Sequence, residues 1–325
     1  MSHESTSQRS SSPVQGLVSS IKHSPLLLPL VGLVVVSIAM AFASDNFFSI
    51  DNIVNVLRQQ SIIGILAIGM TFVILTGGID LSVGAVMALC GTIGAGVIVN
   101  MGLPGGLGLL AMIVVGVLFG LFNGVLVAWG KMPAIIVTLA TMLIARGLGL
   151  VYSGGYPISG LPGWISWFGN GRVASVPVPI IIMVILYAAA WVLLQRTSFG
   201  RHVYSIGGNE TAANLSGVNT KRIKLIVFMI SGFTSAMAAI VLTGRLLSGQ
   251  PGAGVAFELD AIAMVVLGGT AISGGRGLIL GTLIGAVLLG IINNGLNLMG
   301  INPYLQDVIK GLIILLAIYI GRDWR

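Results

Sequence analysis

Residues 196–224 read RTSFGRHVYSIGGNETAANLSGVNTKRIK, the longest polar interruption in a chain that is otherwise one apolar segment after another. Five cations fall within it, Arg196, Arg201, Lys221, Arg222 and Lys224, with His202 and a single acid, Glu210. A short helix is expected over 210–215. Asn209 can cap its start, Glu210 sits in the first turn where the helix dipole favours an anion, and Gly217 can stop it. A short helix in a basic loop between apolar spans has the character of a handle for a cytoplasmic partner.

Outward from this loop the composition is that of a membrane protein. The chain is 56% hydrophobic and 8% charged, where an ordinary soluble domain has about 25% charged residues. Its mean hydropathy is +1.03. Glycine, 47 of 325 residues, is about twice the usual share, as suits helices that pack closely in lipid. The net charge of +7 does not point to nucleic acid, because basic residues collect in the cytoplasmic loops of membrane proteins. Cys90 is the single cysteine, so no internal disulfide forms; it lies in an apolar run and reads as a small packed side chain.

Apolar run lengths predict an all-α polytopic fold of ten transmembrane helices, over 25–43, 61–79, 83–100, 107–129, 134–152, 177–195, 223–244, 259–273, 277–299 and 304–321. Residues 1–24 are Ser-rich and polar and read as a disordered cytoplasmic tail before a transmembrane domain over 25–325. Ala41-Phe42-Ala43 resembles a signal cleavage site, but the long polar leader and the length of the run favour a retained anchor. Residues 44–60 read as an interfacial helix, and 153–176, with Pro157, Pro162, Trp164 and Trp167, as a long loop at a membrane surface.

Ten spans place both termini on one side. With both inside, Arg9, Lys22, Lys131, the five cations of 196–224, Arg276, Arg322 and Arg325 are cytoplasmic, whereas Arg58, Arg172 and Arg245 are outside and Arg146 and Lys310 fall within spans. This asymmetry supports cytoplasmic termini and a cytoplasmic 196–224 loop. A weak internal echo links VILTGGIDLSVGA, from Val73, to VVLGGTAISGGRG, from Val265. Each runs from an apolar helix end into a Gly-rich break and then a new span, a pattern that marks a translocation pathway or a tight cytoplasmic turn.

Catalytic groupings are missing. His3, His23 and His202 all lie in predicted tails or loops, no G-x-S-x-G elbow occurs, and no lysine is followed by Ser or Thr, so the Walker A phosphate loop is absent. No cofactor is expected, and ATP-driven transport would need a motor on another polypeptide. The polar residues predicted inside spans are Asp80, Arg146, Asn123, Asn293, Asn294, Asn297, Asp307 and Lys310. Ionisable groups there are functional candidates because they are costly unpaired. Asp80 and Arg146 can pair between helices, and Asp307 and Lys310, one turn apart, with each other. Asn293 and Asn297 share a helix face, where amides suit hydroxyl-rich neutral cargo or serve as interhelical glue. Asp80, Asn123, Asn293, Asn294 and Asn297 are the pathway candidates.

Five blocks carry a resemblance: AIGMTFVILTGGIDLSVGAVMAL from Ala67, GLFNGVLVAWGKMPAIIVTLATMLIARGL from Gly120, FGRHVYSIGGNETAANLSGVNTKRIK from Phe199, SGQPGAGVAFELDAIAMVVLGGTAISGGRG from Ser248 and IINNGLNLMGINPYLQDVIKGLIILLA from Ile291. In this order, over nearly all of the chain after the tail, they resemble the permease subunits of bacterial ABC importers for monosaccharides, the ribose type nearest; branched-chain amino-acid permeases are more distant. The resemblance implies a multi-pass inner-membrane permease acting as a dimer, most simply of identical copies, in contact with lipid. It implies a cytoplasmic ABC ATPase subunit and a periplasmic sugar-binding protein as partners. It further implies that Gly207, Gly208, Asn209, Glu210, Ala212, Ala213, Ser216 and Gly217 form the segment coupling to the ATPase. The outer loops 153–176 and 245–258 are then the expected docking surface for the binding protein.

Overall fold

The computed structural model describes residues 26–43 and 47–320; the expected tail and the terminal Arg322, Asp323, Trp324 and Arg325 lie outside them. The fold is all-α. Helices α1 (Leu27–Ala43), α2 (Ile50–Leu75), α3 (Val83–Val99), α4 (Gly105–Ala128) and α5 (Ala134–Ser153) come first. A short α6 (Trp167–Asn170) precedes α7 (Val178–Arg196), α8 (Ser198–Gly208), α9 (Glu210–Leu215) and α10 (Thr220–Leu246). Then follow α11 (Phe257–Leu267), α12 (Ile279–Leu298) and α13 (Pro303–Ile320).

Among the described residues six helices, α2, α4, α5, α7, α10 and α12, are long and apolar enough to cross a membrane, and α1 and α3 are shorter apolar helices. α2 is the most buried of the six, whereas α4, α5 and α7 leave most of their surface outward. An inward α2 ringed by outward-facing apolar helices is what lipid solvent selects, since only the ring needs to meet hydrocarbon.

Small residues set the tightest packing. α4 and α10 form the most extensive helix pair. On α4, Gly116, Gly120 and Gly124 recur every fourth position and so share one face. A Cβ at Gly120 would collide with the Phe228 carbonyl oxygen, and one at Gly232 with that of Gly116. Bare backbone on both sides lets the helices approach where the hydrophobic effect gives no drive between them.

Three expectations change. Residues 44–60 do not form a separate interfacial helix: Ile50 onward is continuous with the following span, because Ser49 caps Asn52 N–H and nothing between Ile50 and Leu75 breaks the ladder. Residues 44–46 lie outside the described set. The loop 153–176 is structured, with a 3-10 turn at Gly163–Ser166, α6, and two short ribbons. In one ribbon Ile158–Ser159 pairs antiparallel with Ser248–Gly249, joining the two predicted outer loops. Finally, 250–256 does not stay at the surface. Gly254 lies against Gly84 in the first turn of α3, and Arg146, about 18 Å along α5 from its start, donates to the Pro251 and Ala253 carbonyls.

Gly116→Val should destabilise the protein by about 1–3 kcal/mol through overpacking, while Gly106→Ala, where a Cβ meets nothing within 4 Å, should be neutral. Thermal unfolding of both in detergent, followed by size-exclusion fluorescence, checks this; equal unfolding temperatures would refute it.

Candidate functional site

The loop 196–224 folds into two helices, not one. Thr197 caps α8, its hydroxyl accepting from Gly200 N–H at 3.3 Å, and the helix buries Val203 and Ile206. Phe199 of α8 packs against Phe72 of α2, ring centroids 6.2 Å apart. Tyr204 donates to the Gly277 carbonyl at 3.0 Å and accepts from Gln195 at 3.3 Å. Burial holds the Tyr204 phenol above its ordinary pKa, against the hydrogen bond from Gln195, so it stays a protonated donor at neutral pH. The signal for α8 was present as Phe199, Val203 and Ile206, spaced four and three apart.

α9 forms where expected. Asn209 accepts from Ala212 N–H at 2.9 Å, Gly217 takes φ +86°, and Glu210 pairs with Lys224 at 2.6 Å. Ala213 is buried, whereas Ala212, Ser216 and the apolar Leu215, 85% exposed, face outward. Leu215 escaped the sequence reading, since a lone leucine in a polar helix reads as its buried anchor. A cavity of about 470 Å³ lies beside α9, lined by Glu210, Asn214, Lys131, Lys221, Lys224 and Thr76 among others.

Both Gly-rich breaks meet the end of α8. Gly275 N–H donates to the Leu75 carbonyl at 3.0 Å, and Gly274 sits against Gly77. A Cβ at Gly207 would strike the Leu75 carbonyl oxygen, so only glycine admits α8 here. Gly208 lies against Gly275. The echoed segments are therefore tight turns at the end of the bundle that carries α8 and α9, and from there 78–82 turns back inward.

Asp80 and Arg146 do not pair. Asp80, 2% exposed, accepts from Ser82 N–H at 3.0 Å, Ser82 Oγ at 2.6 Å and Ser231 Oγ at 2.7 Å. Asn123 donates to Ser82 Oγ at 3.0 Å and accepts from Thr141 at 2.6 Å. Asp80 and Asn123 thus sit in one buried network joining α3, α4, α5 and α10. Arg146 is occupied with carbonyls of 250–256, acceptors that a side-chain inventory does not contain.

The three asparagines of α12 separate. Asn294 exchanges two hydrogen bonds with Asn52, at 2.9 and 2.8 Å, and ties α12 to the start of α2. Asn293 and Asn297 line a different space, a cavity of about 280 Å³ with Gln59, Gln60, Gln306, Arg245 and Lys310. Gln306 donates to Asn297 at 2.9 Å. Lys310 pairs with Asp307 at 2.8 Å, as the spacing implied, and with Asp260 at 3.7 Å. Among the described residues no cluster of three or more His, Cys, Asp or Glu gathers to hold a metal.

A bundle of apolar helices with a polar helix pair at one end and an amide-lined cavity at the other defines a multi-pass membrane protein. Comparison with known proteins supplies the family. Residues 52–318 match the model of the branched-chain amino acid transport system / permease component family. The chain is 48% identical over 292 residues to a ribose import permease protein of Haemophilus influenzae, covering 89% of this chain and 90% of that one. It is 49% identical over 296 residues to the ribose import permease protein of Bacillus subtilis, covering 90% and 92%. A xylose transport system permease protein of Haemophilus influenzae is 35% identical, covering 89% and 94%. The chain belongs to this permease family, and it is a multi-pass protein of the inner membrane.

Asp80→Asn and Arg146→Gln should each cost about 1–3 kcal/mol by leaving buried groups unpaired. Their effects should add to within about 0.5 kcal/mol, because they share no partner. Unfolding of the two single variants and the double variant measures this; a double variant no worse than one single would restore the ion pair.

Proposed function

We propose that this chain is the membrane-spanning permease subunit of an ATP-binding-cassette importer for a monosaccharide, ribose being the first candidate. The supporting observation is the similarity to ribose import permease proteins over about nine-tenths of both chains. The family description names branched-chain amino acids, but the similar curated proteins carry names of pentose transport, and ribose permeases exceed the xylose ones in identity. A branched-chain amino-acid or autoinducer-sugar cargo, or a self-sufficient secondary transporter, is the competing reading.

In the proposed topology ten segments cross, with both termini and α8–α9 in the cytoplasm and the joined loops 153–176 and 245–258 outside. The chain carries no phosphate-binding loop, so a separate cytoplasmic ATPase supplies the work. Gly207, Gly208, Asn209, Glu210, Ala212, Ala213, Ser216 and Gly217, with Leu215 at the tip, form the coupling element. The exposed Leu215 offers an apolar knob, the Glu210–Lys224 pair fixes the angle of α9, and the adjoining cavity leaves room for it to shift. A second copy of the permease completes the assembly, and a periplasmic binding protein delivers sugar to the outer loops, so that much of the selectivity lies outside this chain. Asp80 and Asn123 hold the broken segments in place, while Asn293 and Asn297 face the route.

The reading is tested by uptake in cells deleted for this chain, given labelled ribose, xylose, arabinose, galactose or leucine. Loss of one sugar, restored by re-expression, is the expected result; loss of leucine alone would move the chain to the amino-acid branch. Glu210→Lys and Leu215→Asp should abolish that uptake with normal membrane insertion. Unchanged uptake in both would sink the coupling assignment.

A further inference from the structure

The cavity bounded by α2, α10, α11, α12 and α13 holds two acceptors that the fold does not use. Gln60 is 8% exposed and its Oε1 is buried with no hydrogen-bond partner among the described residues; Asn293 Oδ1 is buried and likewise unpartnered. Leaving a buried amide carbonyl unpaired costs about 1–3 kcal/mol, so two on one wall call for a ligand that donates. The space is shaped to keep them. A Cβ at Gly290 would come within about 2.5 Å of Gln60 Cγ, so glycine on α12 leaves Gln60 its place.

The chemistry of the remaining wall narrows the ligand. Gln59, Asn297 and Gln306 are neutral amides, and Lys310 is held by Asp307 and Asp260. Ile62, Ile63, Leu242 and Phe257 give an apolar floor. A carboxylate would face two carbonyl oxygens without a proton to offer, whereas hydroxyl groups donate to them and can accept from Arg245. At about 280 Å³ the cavity lies near the lower end for small-molecule sites.

Position gives the direction of access. Gln60 is about 22 Å before Leu75 along α2, and Asn293 about 21 Å beyond Ile279 along α12. Leu75 marks the end of the bundle that holds α8 and α9, so the cavity lies toward the opposite end, which is the outer one in the proposed topology.

We propose that Gln60 Oε1 and Asn293 Oδ1 form an outward-opening subsite that takes hydroxyl groups of a neutral sugar as it enters the permease. This rests on the sugar-importer reading and adds the residues that receive the cargo. A binding protein sets the apparent affinity, so the subsite acts on the rate at saturating sugar and not on KM.

The experiment is initial uptake of labelled ribose at saturation, in cells whose own copy is replaced by wild type, Gln60→Met or Asn293→Leu at matched membrane levels. Each variant should lose about fivefold in maximal rate, the factor for one neutral hydrogen bond, with KM unchanged. Wild-type rates in both variants would overturn the subsite while leaving the importer reading standing. Failure of the wild type to carry any sugar would overturn both. Should either variant fail to insert, Asn293→Cys in a Cys90→Ala background decides. A membrane-impermeant thiol reagent added outside should label it, and ribose should slow the labelling. No labelling, or labelling indifferent to ribose, overturns the proposal.

Discussion

Backbone that leaves the helical ladder inside a membrane protein must find its hydrogen bonds within the protein, since hydrocarbon offers none. Several of the polar side chains inside the bundle answer that requirement. After α2 ends, Thr138 donates to the Ile79 carbonyl and the Asp80 carboxylate takes the N–H and hydroxyl of Ser82, which turns the chain into α3. Before α11 begins, Arg146 covers the carbonyls of Pro251 and Ala253. After it ends, Ala271 N–H donates to the Arg276 carbonyl and Gly275 N–H to that of Leu75. Each break is closed partly by its own residues and partly by a group from elsewhere in the chain: Thr138 of α5 and Ser231 of α10 before α3, Arg146 of α5 before α11, and the Leu75 carbonyl of α2 after it.

This explains why a charge in a span need not be a charge on a pathway. Asp80, Asn123, Thr141 and Ser231 are consumed by one another, and Asn294 by Asn52. Gln60 and Asn293 differ in that their carbonyl oxygens are buried without a partner; single atoms of Tyr187, Glu258 and Thr270 share that condition, but none of those three lines the amide cavity. Satisfaction and position together separate the polar residues that build this bundle from the two proposed to meet a cargo.

The same distinction marks what the sequence could and could not show. Apolar run length is a direct consequence of bilayer thickness, so the six long apolar helices could be located, as could α9 from Asn209, Glu210 and Gly217, and the Asp307–Lys310 pair from its spacing. Residues 50–60 read as separate from the span after them because their polar character was weighed over the unbroken helical ladder. Arg146 was matched to the nearest acid in kind, Asp80, because its true partners are backbone carbonyls, which every residue carries and no sequence pattern marks. The re-entry of 250–256 was hidden for the same reason. Nothing in the spacing of 293, 294 and 297 tells which amide meets Asn52 and which is left open; that depends on the rotation of α12 against α2.

α2 ties the two ends of the molecule together. It is one unbroken helix, and at about 1.5 Å per residue some 22 Å of it separates Gln60 from Leu75. Leu75 gives its carbonyl to Gly275 and has Gly207 pressed against it, so the end of α8 and the turn before α12 both bear on the C-terminal end of α2. Gly290 and Asn294 of α12 grip its N-terminal half at Gln60 and Asn52. A helix buried along most of its length cannot bend independently of its neighbours, because a close-packed interior transmits strain. If α9 takes the push of an ATPase, as proposed, α8 hands it to α2 and α12 as a pair, and the displacement reaches the amide cavity between them. The α8–α9 end and the amide cavity are thus linked by two long helices, with the breaks placed beside them and not within them.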